Sequence, residues 1–153
     1  MKYRIYMDVC CLNRPFDAQV QQRIKLESEA IDEITVRCVS GDFVLISSTV
    51  LESEISQNPN PNAAEQVMEA LLIAQDKILV TDAIVARAME LVALGFKRFD
   101  ALHIASAESG NVDVFLSTDD RLVKKAMSSK NMLKVVIANP VIWLMSISIQ
   151  NGE

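Results

Sequence analysis

Acidic residues follow apolar segments of the chain at the points where each segment gives way to polar sequence. Asp8 ends the first apolar run, Glu54 lies one to two helical turns beyond the second, and Asp119 and Asp120 follow a later one. Converging carboxylates raise one another's pKa, and a divalent cation relieves their repulsion. Oxygen ligands without His or Cys select Mg²⁺ or Mn²⁺ over zinc. The pattern predicts a metal site suited to phosphate-ester chemistry.

Each acid also has an ordinary structural explanation when it is taken alone. Asp8 fits the end of a strand, Asp119 fits a helix N-cap, and Glu54 fits a solvated helix face. Asp100 fits the first turn of a helix, where the helix dipole favours a negative charge. The placement of several acids at the ends of separate segments is what favours a shared site over these explanations.

The segments that must position these acids alternate between strands and helices. Apolar runs predict strands at 3–9, 43–46, 78–80, 112–116 and 133–138. Helical spacing predicts helices at 21–39, after Ser48, around 67–74, from 82 to Gly95, at 100–108, at 119–129 and from Pro140. Segments 13–17 and 58–62, rich in Asn and Pro, predict loops.

Near-continuous apolar strands alternating with helices are typical of a parallel sheet that is covered on both faces. The predicted fold is therefore α/β, a three-layer α/β/α sandwich with a central parallel sheet of four to five strands. In such sheets ligands bind beyond the carboxyl ends of the strands, near the point where the strand order reverses. We expect the acids to lie at that edge.

Length and composition limit the other possibilities. The 153 residues suit a single domain, predicted over 1–148 with a frayed tail at 149–153. The formal charge of −5 excludes a net-basic nucleic-acid coat but not a local basic patch. No apolar run reaches the roughly 18 residues of a membrane span, and no secretory signal is visible, so we predict a cytoplasmic protein. The three cysteines lack zinc spacing and are predicted to be reduced and buried.

Four segments of the chain resemble the PIN-domain nucleases, a family that includes the toxins of many bacterial toxin–antitoxin pairs. The resemblance spans roughly residues 3–145. Its most specific part is a helix beginning Asp-Ala-Leu-His-Ile-Ala followed by Leu-Ser-Thr-Asp-Asp-Arg-Leu. The four matching segments are 5–8, 47–54, 100–105 and 115–122.

The resemblance implies a metal-dependent ribonuclease that leaves a 5′-phosphate and a 3′-hydroxyl. It implies RNA as the substrate, an antitoxin protein as a partner and a homodimer. The family's acidic quartet falls on Asp8, Glu54, Asp100 and Asp119, with the first, third and fourth as ligands of Mg²⁺ or Mn²⁺. The family's serine or threonine before the last acid falls on Ser117 or Thr118, and Asp120 matches a less essential acid.

Several other assignments around the acids remain open at this point. Glu52 and Glu54 are two residues apart and do not share a helix face, so only one points inward, and spacing from Ser48 favours Glu54. Asn13 is either a supporting residue or a turn residue. His103 is read mainly as a packing residue or as a hydrogen-bond partner behind the site. The candidates for holding substrate phosphates are basic residues near the acids: Arg14, Arg98 and Arg121.

Three alternatives to a nuclease are considered. A haloacid-dehalogenase-type phosphatase requires a second Asp two residues after the first, where this chain has Cys10. A phospho-accepting receiver domain requires an acidic pair on the first strand, but Met7 precedes Asp8. A PIN-like scaffold that only binds protein or RNA does not need an intact acidic quartet, and the quartet here therefore speaks against this alternative.

Overall fold

The structure, a computed structural model, describes residues 2–152. Its five strands are β1 (Tyr3–Met7), β2 (Phe43–Ser48), β3 (Asp76–Ile78), β4 (Val114–Leu116) and β5 (Val136–Ala138). Its helices are α1 (Val9–Asn13), α2 (Gln22–Val39), α3 (Thr49–Ser56), α4 (Pro61–Ala70), α5 (Asp82–Ala93), α6 (Arg98–Ser109), α7 (Asp120–Ser128) and α8 (Pro140–Gln150). Short 3-10 turns lie at Arg14–Phe16, Leu71–Ile73 and Lys130–Met132.

The strands form one all-parallel sheet in the order β3-β2-β1-β4-β5. The strand order reverses between β1 and β4, so their carboxyl ends border the crevice where open α/β sheets bind ligands. The Asp8 amide donates to the Leu116 carbonyl at 3.2 Å and holds these two strand ends together. The parallel sheet predicted from the apolar runs is confirmed.

Helices cover both faces of the sheet and complete a three-layer α/β/α sandwich. On one face α2 packs against α8 and β2, and the rings of Tyr3, Phe43 and Trp143 pack edge-on and tilted at 5.4–5.9 Å. On the other face α6 packs against α3, α5 and β3. There the Tyr6 ring contacts Phe115 and His103. No helix within residues 2–152 combines the length and apolarity required to cross a membrane.

The structure corrects two predicted loops and several boundaries. Segment 13–17, predicted as a loop, contains the end of α1 and a 3-10 turn, because the Asp8 carboxylate accepts from the Cys11 amide and starts a helix directly after β1. Helix α4 begins at Pro61 inside the predicted loop 58–62, since Asn60 caps it. Strands β4 and β5 are shorter than predicted, and α8 extends to Gln150, two residues into the predicted tail.

Candidate active site

The site begins at the two strand ends that border the crevice. Asp8 follows β1 and caps α1, and Asp119 follows β4 and caps α7. The Asp119 carboxylate accepts from the Arg121 amide at 3.0 Å and from the Leu122 amide at 3.4 Å. Both acids therefore occupy helix N-caps, where backbone N–H groups fix their orientation.

Asp8 is buried without a positive partner. Its side chain is 7% exposed, and it accepts from the Cys11 amide at 3.0 Å and from the Cys10 thiol at 2.8 Å. Within residues 2–152 no Lys or Arg forms an ion pair with it. Burial raises the pKa of Asp8 well above its ordinary value, because a low-dielectric environment disfavours the charged form.

Ser117 connects the two capping acids. Its hydroxyl oxygen accepts from the Asp119 amide at 3.0 Å and lies 3.6 Å from the Cys10 sulphur. It also hydrogen-bonds the Asp8 carboxylate, which partly offsets the effect of burial on the pKa of that group. Ser117 is fully buried. Its hydrogen bonds hold the Asp8 side of the crevice against the start of α7.

Asp100 lies in the first turn of α6, two residues after the helix begins at Arg98. Burial raises its pKa, and the negative charges of Asp119 and Glu54 raise it further. His103 and Lys97 act in the opposite direction. The charges of Asp119 and Glu54 therefore disfavour the ionised form of Asp100.

The two glutamates of α3 point in different directions. Glu54 Oε1 lies 2.6 Å from His103 Nε2, at the site. Glu52 instead forms an ion pair with Lys77 at 2.8 Å, beside β3. The two side chains therefore diverge as helix geometry requires for residues two apart, and Glu54 is the one that faces the other acids.

A chain of four side chains holds Glu54 in place. The Tyr6 hydroxyl lies 2.7 Å from Ser48 Oγ and 2.6 Å from His103 Nδ1, and His103 Nε2 continues to Glu54. An ionised Glu54 can only accept, so His103 Nε2 donates to it, and in the tautomer that carries its proton on Nε2 the Nδ1 atom accepts from the Tyr6 hydroxyl. The Tyr6 oxygen accepts from Ser48, whose own oxygen accepts from the Leu51 amide at 3.0 Å.

The remaining predicted residues have diverse surroundings. Arg14 is half-buried and pairs with Asp17 and Glu27, each at 3.1 Å, and its predicted substrate role has to compete with these partners. Asp120 accepts hydrogen bonds from Arg23 through both carboxylate oxygens, each at 2.6 Å. The other placements are a buried Thr118, a half-buried Asn13 beside Glu54, and exposed guanidinium groups on Arg98 and Arg121.

The donor set fits a hard divalent cation. Asp8, Asp100 and Asp119 offer only carboxylate oxygens, which Mg²⁺ and Mn²⁺ prefer. Asp8 is buried with a raised pKa and no cation beside it, a state that a bound metal relieves. Over the described residues 2–152, however, no three His, Cys, Asp or Glu side chains are grouped closely enough to count as a metal site. The acids are neighbours rather than a closed ligand cluster.

Sequence reasoning missed Tyr6 and Cys10 as neighbours of the acids. Tyr6 was read as part of an apolar strand, and its position two residues before Asp8 was the available signal. Cys10 was predicted to be a buried thiol, but it is half-buried and donates to Asp8, while Cys11 and Cys38 are buried. All three cysteines are free.

Comparison with known structures supports the fold. A chain in the crystal structure of VapBC2 from Rickettsia felis, bound to a DNA fragment from their promoter, superposes with a TM-score of 0.52 at 10% sequence identity. The match covers 88% of this chain and 98% of that one. At this identity the similarity establishes the fold alone. A comparison with curated proteins gave no match.

The family follows from the sequence as a whole rather than from one motif. The PIN domain model matches residues 6–127, from the strand that leads to Asp8 through nearly all of α7. This range contains all four acids of the site and the Ser48–Tyr6–His103–Glu54 chain. PIN domains are generally nucleases that use divalent metal ions. The chain belongs to the PIN-domain family.

Proposed function

We propose that this chain is a metal-dependent ribonuclease that hydrolyses RNA phosphodiester bonds. The observation that carries the proposal is Asp8, a buried carboxylate without a positive partner, which lies with Asp119 at the strand ends where the strand order reverses. A buried charge that the protein leaves uncompensated is costly, and it is retained where a ligand supplies the opposite charge.

In this proposal three of the four acids would be metal ligands and Glu54 has a separate role. Asp8, Asp100 and Asp119 would hold Mg²⁺ or Mn²⁺, directly or through water. A bound cation would lower the pKa of a water molecule and neutralise charge on the phosphate. Glu54 completes the acidic quartet, and its hydrogen bond from His103 fixes the orientation of its carboxylate. Ser117 holds Asp8 and the start of α7 together.

Positive charge for the substrate would come from the rim of the site. Arg98 begins α6 and Arg121 lies in the first turn of α7, so both are on the elements that carry Asp100 and Asp119. Both side chains are exposed and available to RNA phosphates. Arg14 is the weaker candidate, because Asp17 and Glu27 already engage its guanidinium.

The biological role we propose is that of a toxin in a toxin–antitoxin pair, acting in the cytoplasm. The structural neighbour from Rickettsia felis is a toxin–antitoxin complex, and it supports an antitoxin partner here. A homodimer is also proposed, with α8 as one candidate contact because Ile142, Met145 and Ile149 on it are exposed.

The deciding experiment is an RNA cleavage assay with and without EDTA, with Mg²⁺ or Mn²⁺ added back. We expect cleavage that EDTA stops and either metal restores, with 5′-phosphate ends on the products. Cleavage that is indifferent to EDTA would contradict the metal role. Failure to cleave any RNA while binding it would favour the alternative of a catalytically silent PIN-like module, and release of phosphate from monoesters alone would favour a phosphatase.

A further inference from the structure

A cavity of about 330 Å³ opens next to Glu54, and its lining is mostly uncharged, unlike that of the acidic edge. Its walls come from α1, the end of α3, α4 and the first turn of α6. Among the described residues that line it, Glu54 alone is charged. A cavity with few charges and several apolar walls is suited to a flat, uncharged group rather than to a phosphate.

Phe99 provides an aromatic wall for this cavity. Three of the five phenylalanines are buried in the core, and Phe16, in the 3-10 turn after α1, is exposed. Phe99 is half-buried, belongs to neither group, and its ring stacks on His103 at 6.2 Å with an interplanar angle of 28°. His103 is itself fixed by Tyr6 and Glu54, so the ring of Phe99 lies against a rigid support.

Amide side chains line the same cavity. The Asn13 side chain donates one long hydrogen bond, 3.4 Å to Asp17. The Asn58 side chain accepts from the backbone N–H of Asn60 at 2.9 Å. Over residues 2–152 the Gln57 side chain has no hydrogen-bond partner. An amide carries a donor and an acceptor next to each other, and this is the pairing presented by the edges of nucleobases.

We infer that this cavity binds one unpaired nucleobase of single-stranded RNA, which stacks on Phe99 and hydrogen-bonds the amides of Asn13, Gln57 and Asn58. Unpaired bases in RNA complexes commonly stack on aromatic side chains and are read along their edges. The inference rests on the proposed function, since Phe99 directly precedes Asp100. The bound base would belong to a nucleotide next to the phosphate held at the acids.

The test measures binding of a single-stranded 2′-O-methyl RNA oligonucleotide, which resists cleavage, by fluorescence anisotropy. Phe99→Ala should weaken binding on the order of tenfold, the usual cost of losing one base–aromatic stack. Phe99→Tyr should bind like wild type, because the stacking surface is kept. Phe16→Ala, which removes an exposed aromatic outside the cavity, is the matched control and should have no effect.

An abasic scan of the oligonucleotide makes the test specific. One abasic position should weaken wild-type binding by a similar factor, and at that position Phe99→Ala should cause no further loss, which shows that the two are coupled. Gln57→Ala is a second variant on an exposed residue and should weaken binding by a few-fold without affecting the fold, checked by circular dichroism.

Equal binding by wild type and Phe99→Ala, or losses that add independently of the abasic site, would overturn the inference. Failure of the wild-type chain to bind the oligonucleotide would overturn it as well. Binding with the expected coupling in a chain that cleaves no natural RNA would instead refute the proposed ribonuclease and leave the base site intact.

Discussion

Asp8 and Glu27 are both buried carboxylates, and they differ in what surrounds them. Glu27 on α2 is 1% exposed and forms ion pairs with Arg14 and Arg23, each at 3.1 Å. It also accepts a hydrogen bond from the side-chain amide of Asn139 at 2.7 Å. Asp8 is 7% exposed and accepts hydrogen bonds from the Cys10 thiol at 2.8 Å and from the Cys11 backbone amide at 3.0 Å. The first carboxylate is neutralised by the protein itself, and the second is left for a ligand to neutralise.

The contrast separates a structural use of charge from a functional one. Arg23 links Glu27 to Asp120 and to the Thr118 carbonyl, so the Glu27 cluster joins α2 to the start of α7 and to α8. Among the charged groups of this network only Glu27 is buried, and its arginine partners give the buried carboxylate the positive charge that it needs. At the acidic site, by contrast, the charges of Asp119 and Glu54 raise the pKa of Asp100, an unfavourable interaction typical of sites where stability is given up for function.

The largest expected effect is on activity. Asp8→Asn removes a charge but little volume, so cleavage should fall by about 100-fold or more, beyond the usual cost of losing an outer-shell partner. The metal-free variant should unfold at the wild-type temperature or above it, because a buried charge without a partner has gone. An RNA cleavage assay and circular dichroism measure the two halves. Activity near wild type would remove Asp8 from the site.

Glu27→Gln should show the reverse behaviour. The change leaves two arginines without their shared partner, and we expect a loss of about 3 kcal/mol in unfolding free energy, the lower end of the range for breaking a buried pair, since Arg23 is half-exposed. Urea denaturation measures it, with the exposed Glu29→Gln on the same helix as the control. Cleavage per folded molecule should stay near wild type, and a specific loss of activity would contradict the contrast with Asp8.

Glu54→Gln and Glu52→Gln compare two acids on one helix. Glu54→Gln weakens a charge next to Asp100 and alters the bond to His103, so activity should fall about 10- to 100-fold. Glu52→Gln breaks an exposed pair with Lys77 and should leave activity within about twofold. The kinetic constants at saturating metal measure both, and the opposite order would move the site to the other face of α3.

Metal should stabilise the acidic region. A cation that binds only the folded chain adds RT ln(1 + [L]/Kd), about 2.7 kcal/mol at one hundred times Kd. Millimolar Mn²⁺ or Mg²⁺ should therefore raise the melting temperature, and Asp119→Asn should reduce the shift. Asp32→Asn, an exposed change on α2, should keep the full shift. Scanning fluorimetry decides the matter, and a wild-type melting curve that metal leaves unchanged would count against the site.

The smallest effect concerns pH and has opposite signs in the two regions. The raised pKa of Asp8 means that its folded form holds a proton more tightly, so stability is lost as pH rises through that pKa. The advantage of Asp8→Asn over metal-free wild type should grow between about pH 4 and neutrality. The Arg23 guanidinium lowers the pKa of Asp120, whose contribution is present at neutral pH and is lost on acidification.

Asp120→Asn should accordingly destabilise the chain at neutral pH and approach wild type in acid. Chemical denaturation of wild type and both variants across this pH range gives, for each variant, the slope of its change in unfolding free energy against pH. Slopes of the same sign would mean that Asp8 and Asp120 do not differ in the way their surroundings indicate.

The sequence was sufficient for the sheet and for the position of the acids. Period and composition identify strands that are buried on both faces, and parallel strands bring their carboxyl ends to one edge. Asp8 was placed correctly at that edge because it directly follows an apolar run, and Asp119 because only Ser117 and Thr118 separate it from one. The partners of other buried polar side chains, such as Glu27 and His103, were not predictable in the same way, because they come from distant parts of the chain.

Glu27 is the clearest example of this limit. An acidic residue in a helix is usually exposed, yet the structure buries Glu27 on α2. Its partner Asn139 is 112 residues away, and Arg14 was predicted to hold substrate. His103 shows the same problem, because Tyr6 is 97 residues distant and only the folded structure brings their side chains together. Helical or strand periodicity contains no information about such pairs.

The hydrogen-bond chain from Ser48 through Tyr6 and His103 to Glu54 has a consequence for how this protein can evolve. Ser48 donates to Tyr6, Tyr6 donates to His103, and His103 donates to Glu54, so all the hydrogen bonds of the chain run in one direction. A lineage that replaces Tyr6 with Phe leaves the His103 ring without a donor and Ser48 without an acceptor. A substitution at one of these four positions should therefore be accompanied by changes at the others, although the positions run from residue 6 to residue 103.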